Sequence, residues 1–184
     1  MAGDEHKQGP GADESAEFLA VYLNDHLAGS MTAIEMVRRA AREHAGTELG
    51  GFFSRIAVEI EQDRQVLRRV MAAAGARPQR AKLAVAWLAE KAGRLKFNGR
   101  VLRRSPLTPL VELEALEVGI YGKQLLWQVL REHRPPASAV VDLDDLIARA
   151  QRQRGEVEAQ RLRAGVVFSA APRAGGASPP HAAG

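Results

Sequence analysis

Apolar side chains recur at intervals of three and four along four long stretches of the chain, and no stretch alternates apolar and polar residues in the way a half-buried strand would. The first stretch predicts a helix from Ser15 to His44, with Leu19, Leu23, His26, Ser30, Ala33, Val37 and Ala40 on one stripe and Ser15 as its cap. Gly46 then stops it and Thr47 caps the next helix, over residues 48–74, whose stripe holds Phe52, Ile56, Glu59, Asp63, Val66 and Val70. Gly75 and Pro78 close that segment. A third helix is expected after Pro109, running through Leu113, Ile120 and Trp127 to His133, ahead of Pro135-Pro136. A fourth, capped by Asp142 or Asp144, carries Leu146, Ala150, Gln153, Val157 and Ala164 and reaches about Phe168. The fold class that follows is all-α.

Connection lengths narrow the architecture. Helices one and two are separated by so few residues that they must form an antiparallel hairpin, and helices three and four can form another. A long crossover, residues 76–106, lies between the hairpins, which predicts a four-helix bundle with one long connection rather than a plain up-down bundle. Within it, residues 81–97 place Leu83, Ala84, Trp87, Leu88 and Leu95 along one helical face, so an extra amphipathic helix is expected there. The ends are of a different kind. Residues 1–14 are polar, residues 169–184 are Ala, Gly and Pro in the main, and both are expected to be disordered tails flanking one helical domain over 15–168.

Composition removes several classes of function. The 184 residues include no cysteine, which excludes disulfides, a thiol nucleophile and Cys-ligated metal sites. The N-terminal residues lack the basic-then-apolar order of a secretory signal, and a cytoplasmic location is the expectation. The net charge of +4 is unevenly placed. Nine Lys or Arg and one acidic residue fall between Arg77 and Arg104, so the remainder of the chain is net negative. Lys82, Lys91, Arg94 and Lys96 would form the polar side of the crossover helix, either as a solvated face or as a surface that docks on anionic membranes or acidic partners. Packing of that helix on the bundle is the favoured reading, with peripheral membrane contact the lesser one. No nucleic-acid recognition motif is present, so no specific nucleic-acid binding is expected. There is no Gly-x-Ser-x-Gly element and no phosphate-binding loop, and His44 and His133 fall at helix ends, where a cation offsets the helix dipole. Gly119, Gly122 and Gly155 lie inside expected helices and predict close approach of helices three and four, or else, at Gly119 and Gly122, space for a ligand or for an inserted crossover side chain.

The segment Leu23-Asn24-Asp25-His26-Leu27-Ala28-Gly29-Ser30-Met31-Thr32-Ala33-Ile34 resembles the first helix of bacterioferritins and their relatives in the ferritin-like superfamily. Glu59-Ile60-Glu61-Gln62 falls where that family has Glu-x-x-His, Leu113-Glu114 resembles its third-helix Leu-Glu, and Gln153-Arg154-Gly155-Glu156 is similar to its Glu-x-Gly-His. The same pattern is similar to a broad group of bacterial ferritin-like proteins. The resemblance implies a bundle over about residues 15–168 with an interior di-metal site, and it implies which positions would hold the ligands. Ser30 stands at the first-helix glutamate position, Gln62 and Glu156 at the two histidine positions, and Gln153 at the fourth-helix glutamate position. Glu59, Glu114 and Glu156 are the candidate metal ligands that remain, with Glu117 close to Glu114 and with Asp63 and His26 available to a rearranged site. Hard divalent ions want several carboxylates and a nitrogen ligand each, so the ligand set is degenerate.

The expectation is therefore a ferritin-like protein with an eroded di-metal site, without a catalytic role and without a cofactor. One alternative is a di-iron or di-manganese carboxylate protein for iron handling or peroxide defence, with non-standard ligands. Another is an adaptor that docks on anionic surfaces through residues 77–104. A homodimer is compatible with either. In a non-catalytic protein the interior polar residues would bond to one another and to arginines such as Arg154 or Arg161.

Overall fold

The computed structural model describes residues 11–78 and 105–169. The crossover residues Lys82, Lys91, Arg94 and Lys96, the expected amphipathic helix and most of both tails lie outside the described residues. Four long helices make up the rest, with no strand among the described residues. They are α1 (Ala12–Glu43), α2 (Glu48–Ala73), α3 (Thr108–His133) and α4 (Leu143–Ala164). Short 3-10 turns follow α3, over Pro136–Val140, and α4, over Gly165–Phe168.

The helix ends show local chemistry at work. Thr47 caps α2, its hydroxyl accepting from Gly50 N at 3.1 Å, and Asp142 caps α4, accepting from Asp145 N at 3.0 Å. Asp142 thus settles the choice between two candidate caps. At the start of α1 the sequence expectation is corrected. The helix begins before Ser15, whose N–H donates to Gly11 O at 2.9 Å, so Ser15 sits in the first turns instead of capping them. In the α1–α2 turn, Gly46 has φ +81°, a left-handed conformation that a side chain would strain. Gly50 is needed for a different reason. A Cβ there would lie 2.1 Å from the carbonyl oxygen of His44, so the turn closes only around a residue without a side chain.

Each helix packs against two others: α1 against α2 and α3, and α4 against α3 and α2. Side-chain pairs give their directions. Arg38 meets Glu61 across α1 and α2, while Asn24, in the first half of α1, donates to the carbonyl of Arg77 just past the end of α2. His44, at the end of α1, meets Glu112 in the first turns of α3. Arg55 meets Glu156 and Glu48 meets Arg163 across α2 and α4, and Arg131 meets Asp144 across α3 and α4. Neighbours are antiparallel all round the bundle. Consequently α2 and α3 run the same way, and the chain leaves α2 at one end of the bundle and enters α3 at the other.

The apolar interior falls into two blocks. One contains Leu23, Leu27, Val66, Val70, Leu126, Trp127, Leu130, Leu146 and Ile147. The other contains Ile34, Val37, Phe53, Ile56, Ile60, Leu113, Leu116, Ile120 and Val157. Along α1, α2 and α3 the blocks are separated by polar positions: Ser30, Asp63 and the pair Lys123-Gln124.

Gly119, Gly122 and Gly155 do not mark close helix approach. A Cβ added at any of the three would have no described atom within 4 Å, and Gly119 and Gly155 are exposed. Their spacing puts them off the core stripe.

Candidate functional site: a buried ionic layer

Between the two apolar blocks, α2, α3 and α4 each contribute a polar side chain to one connected cluster. Lys123 reaches inward from α3, and its Nζ lies 2.5 Å from Oδ2 of Asp63 on α2 and 2.5 Å from Oε1 of Gln153 on α4. The amide of Gln153 is held at both ends. Its oxygen accepts from Lys123, and its Nε2 donates to Oε2 of Glu59 at 2.9 Å and to Oδ2 of Asp63 at 3.4 Å. Arg149 on α4 places a guanidinium nitrogen 3.1 Å from Oδ1 of Asp63 and another 3.1 Å from Asp145, one turn earlier. Oδ1 has no aligned hydrogen bond, so the Arg149 contact with it is ionic rather than directional.

Asp63 and Gln153 are almost wholly buried, at 3% and 1% exposure. Burial pushes the Lys123 ammonium below the usual lysine range, and Arg149 adds to that shift. The Asp63 carboxylate opposes it by charge and by hydrogen bond, and Glu59 opposes it by charge. The charges balance in this layer, with two carboxylates facing one ammonium and one guanidinium. A buried charge is tolerated when it is paired and its hydrogen-bonding capacity is used.

The sequence-derived ligand candidates part company here. Glu59 belongs to the layer through Gln153. Glu156 is exposed and pairs with Arg55 at 2.8 Å. Glu114 is exposed and lies 3.9 Å from Arg161, whose closer partner is Glu158 at 2.6 Å. The side chains of Glu114 and Glu156 thus meet arginines at the surface rather than Glu59. Ser30 donates to the carbonyl of Leu27 at 2.6 Å, and Gln62 is exposed. Among the described residues no three His, Asp or Glu side chains are grouped as a metal ion would require. Donor chemistry makes the same point: an ammonium with its protons aimed at Asp63 and Gln153 has no lone pair for a metal, and its charge repels one. The residues present do not fit a di-metal centre.

Two further polar contacts tie the helices. Arg154 donates to Glu117 at 2.6 Å and to the Gln124 amide oxygen at 3.1 Å, and lies over the Tyr121 ring at 4.6 Å. At the other end of α3, Nε2 of His44 donates to the buried carboxylate of Glu112 at 3.1 Å, with Arg39 at 3.9 Å. His44 sits at the α1 terminus, as its position in the sequence predicts, and joins α1 to α3. Arg154 has the partners expected of a core arginine, whereas Arg161 stays near the surface with Glu158. Sequence reasoning does not single out Lys123, Arg149, Glu112 or Gln124, although all four make these contacts. The signal was present, since Lys123 falls on the α3 stripe between Ile120 and Trp127, where an apolar residue is expected.

Comparison with family models, with curated proteins and with solved structures finds no match. No described helix is long and apolar enough to cross a membrane.

Proposed function

We propose that this protein is a ferritin-like helical bundle in which Lys123 supplies, from within the chain, the positive charge that a metal pair would supply, and that it serves as a non-catalytic scaffold. The observation that carries this reading is the position of the Lys123 ammonium, 2.5 Å from both Asp63 and Gln153. Gln153 stands where the family resemblance puts a glutamate, and an amide there can accept from the ammonium while donating to Glu59. The antiparallel arrangement of all neighbouring helices, with α2 and α3 running the same way, supports the ferritin-like topology.

Two carboxylates already neutralised by Lys123 and Arg149 leave little drive to bind a divalent ion. Metal analysis of purified protein loaded with Fe(II) or Mn(II) tests the proposal. Substoichiometric metal is expected, and two bound ions per chain would favour the iron-handling or peroxide-defence alternative.

A further inference from the structure

The outward face of α3 is apolar where a bundle helix is ordinarily polar. Val118, Tyr121, Leu125 and Val129 are 71%, 45%, 40% and 42% exposed, and they recur at spacings of three and four along one stripe that also includes Gly122. Val58, by contrast, is the one large apolar side chain that α2 exposes. A continuous exposed stripe of this kind marks a surface that is covered by something. Acidic residues flank it: Glu114 and Glu132 are exposed, and Glu117 is half-buried beside Arg154.

We propose that the face is covered by this chain's own residues 81–97, laid antiparallel along α3. Three observations select that occupant over another molecule. First, the chain ends that bracket residues 79–104 lie toward opposite ends of the bundle: Arg77 is held by Asn24 in the first half of α1, and Ser105 precedes the end of α3 that meets His44 at the end of α1. Seventeen residues in a helix cover roughly 25 Å, and nine more extended residues add up to about 30 Å. That exceeds the roughly 39 Å that a helix as long as α3 occupies. Second, charge is complementary, since the segment is strongly basic and the α3 flanks are acidic. Third, the two sequences fit one register. Running antiparallel, Ala84, Leu88 and Leu95 come opposite Val129, Leu125 and Val118, and Lys91 comes opposite Gly122. The same register sets Lys96 against Glu117 and brings Lys82 and Arg100 one residue from Glu132 and Glu114.

The absence of cysteine makes a clean test, performed on the full-length chain. Leu88→Cys combined with Leu125→Cys is oxidised under mild conditions, beside a control that combines Leu88→Cys with Val58→Cys on the exposed face of α2. An intramolecular disulfide, identified by peptide mapping, is expected to form about tenfold faster in the first pair, because contact raises the effective concentration. Equal rates in the two pairs overturn the proposal. So does a Leu125→Cys single variant that cross-links to itself between chains, which would make a second copy the occupant. The third arm uses the single variants Leu125→Cys and Val58→Cys with a maleimide, alone and with phosphatidylglycerol or phosphatidylcholine vesicles. Slower labelling of Leu125→Cys without vesicles is expected. Protection that appears only with the anionic vesicles overturns the proposal in favour of a membrane.

Discussion

The ammonium of Lys123 and the carboxylate of Asp63 lie 2.5 Å apart in the interior of the bundle, joining α3 to α2 between two apolar blocks. Neither group reaches bulk water freely, so each depends on the other. Lys123→Met would leave Asp63 buried with Arg149 as its remaining charged partner, at a cost of about 3–5 kcal/mol, the range for breaking one side of a buried pair. Adding Asp63→Leu to that variant is expected to return part of the loss. Urea unfolding of the single and double variants measures both steps.

Surface pairs should behave differently. Glu114→Gln and Glu156→Gln each remove a carboxylate from an exposed pair, with Arg161 at 3.9 Å and Arg55 at 2.8 Å. Each is expected to change stability by less than about 1 kcal/mol. The same unfolding assay reads this, and a loss as large as that of Lys123→Met would place these glutamates in the interior network.

Burial lowers the affinity of both His26 and Lys123 for protons. His26, with the Tyr22 ring edge-on at 4.7 Å and Asp25 only partly offsetting burial, favours the neutral imidazole. Between its folded value and the ordinary histidine range near 6.5, the unfolded chain holds more protons, so stability falls as pH drops through that window. His26→Gln should flatten the fall. For Lys123 the sign is the same at higher pH: the stability of wild type relative to Lys123→Met rises with pH in the window just below about 10.4. Unfolding midpoints across pH check both slopes.

The glycines separate into two kinds. Gly119→Ala and Gly155→Ala meet open space and should each stabilise by roughly 0.5–1 kcal/mol through helix propensity. Gly50→Ala drives a methyl into the His44 carbonyl and should cost about 1–3 kcal/mol. Thermal melts of the three variants distinguish them.

The helices were legible because apolar spacing, Thr47, Asp142, Gly46 and the double proline at 135–136 all act within a few residues of where they stand. The start of α1 was less so, since a Ser can sit inside a first turn as readily as cap it. The candidate site was half legible. Asp63, Glu59 and Gln153 fell on the expected stripes, but their role depends on Lys123, a long side chain whose target is set by packing. Glu114 and Glu156 could not be placed from spacing alone, because a rotation of a fraction of a turn decides whether a helical carboxylate faces the core or an arginine outside. The in-helix glycines misled for a related reason. Their cost was real, but the face on which they lie is not a property of one residue.

Lys123 places a protein ammonium inside this bundle as its internal cation, held by Asp63 and Gln153. Nitrogen-15 NMR of lysine side chains tests this placement most directly, on wild type with Lys123→Met for assignment. One ammonium signal protected from water exchange at neutral pH, absent from the variant and titrating below the usual lysine range, is expected. A Lys123 signal that exchanges and titrates like the surface lysines would contradict it.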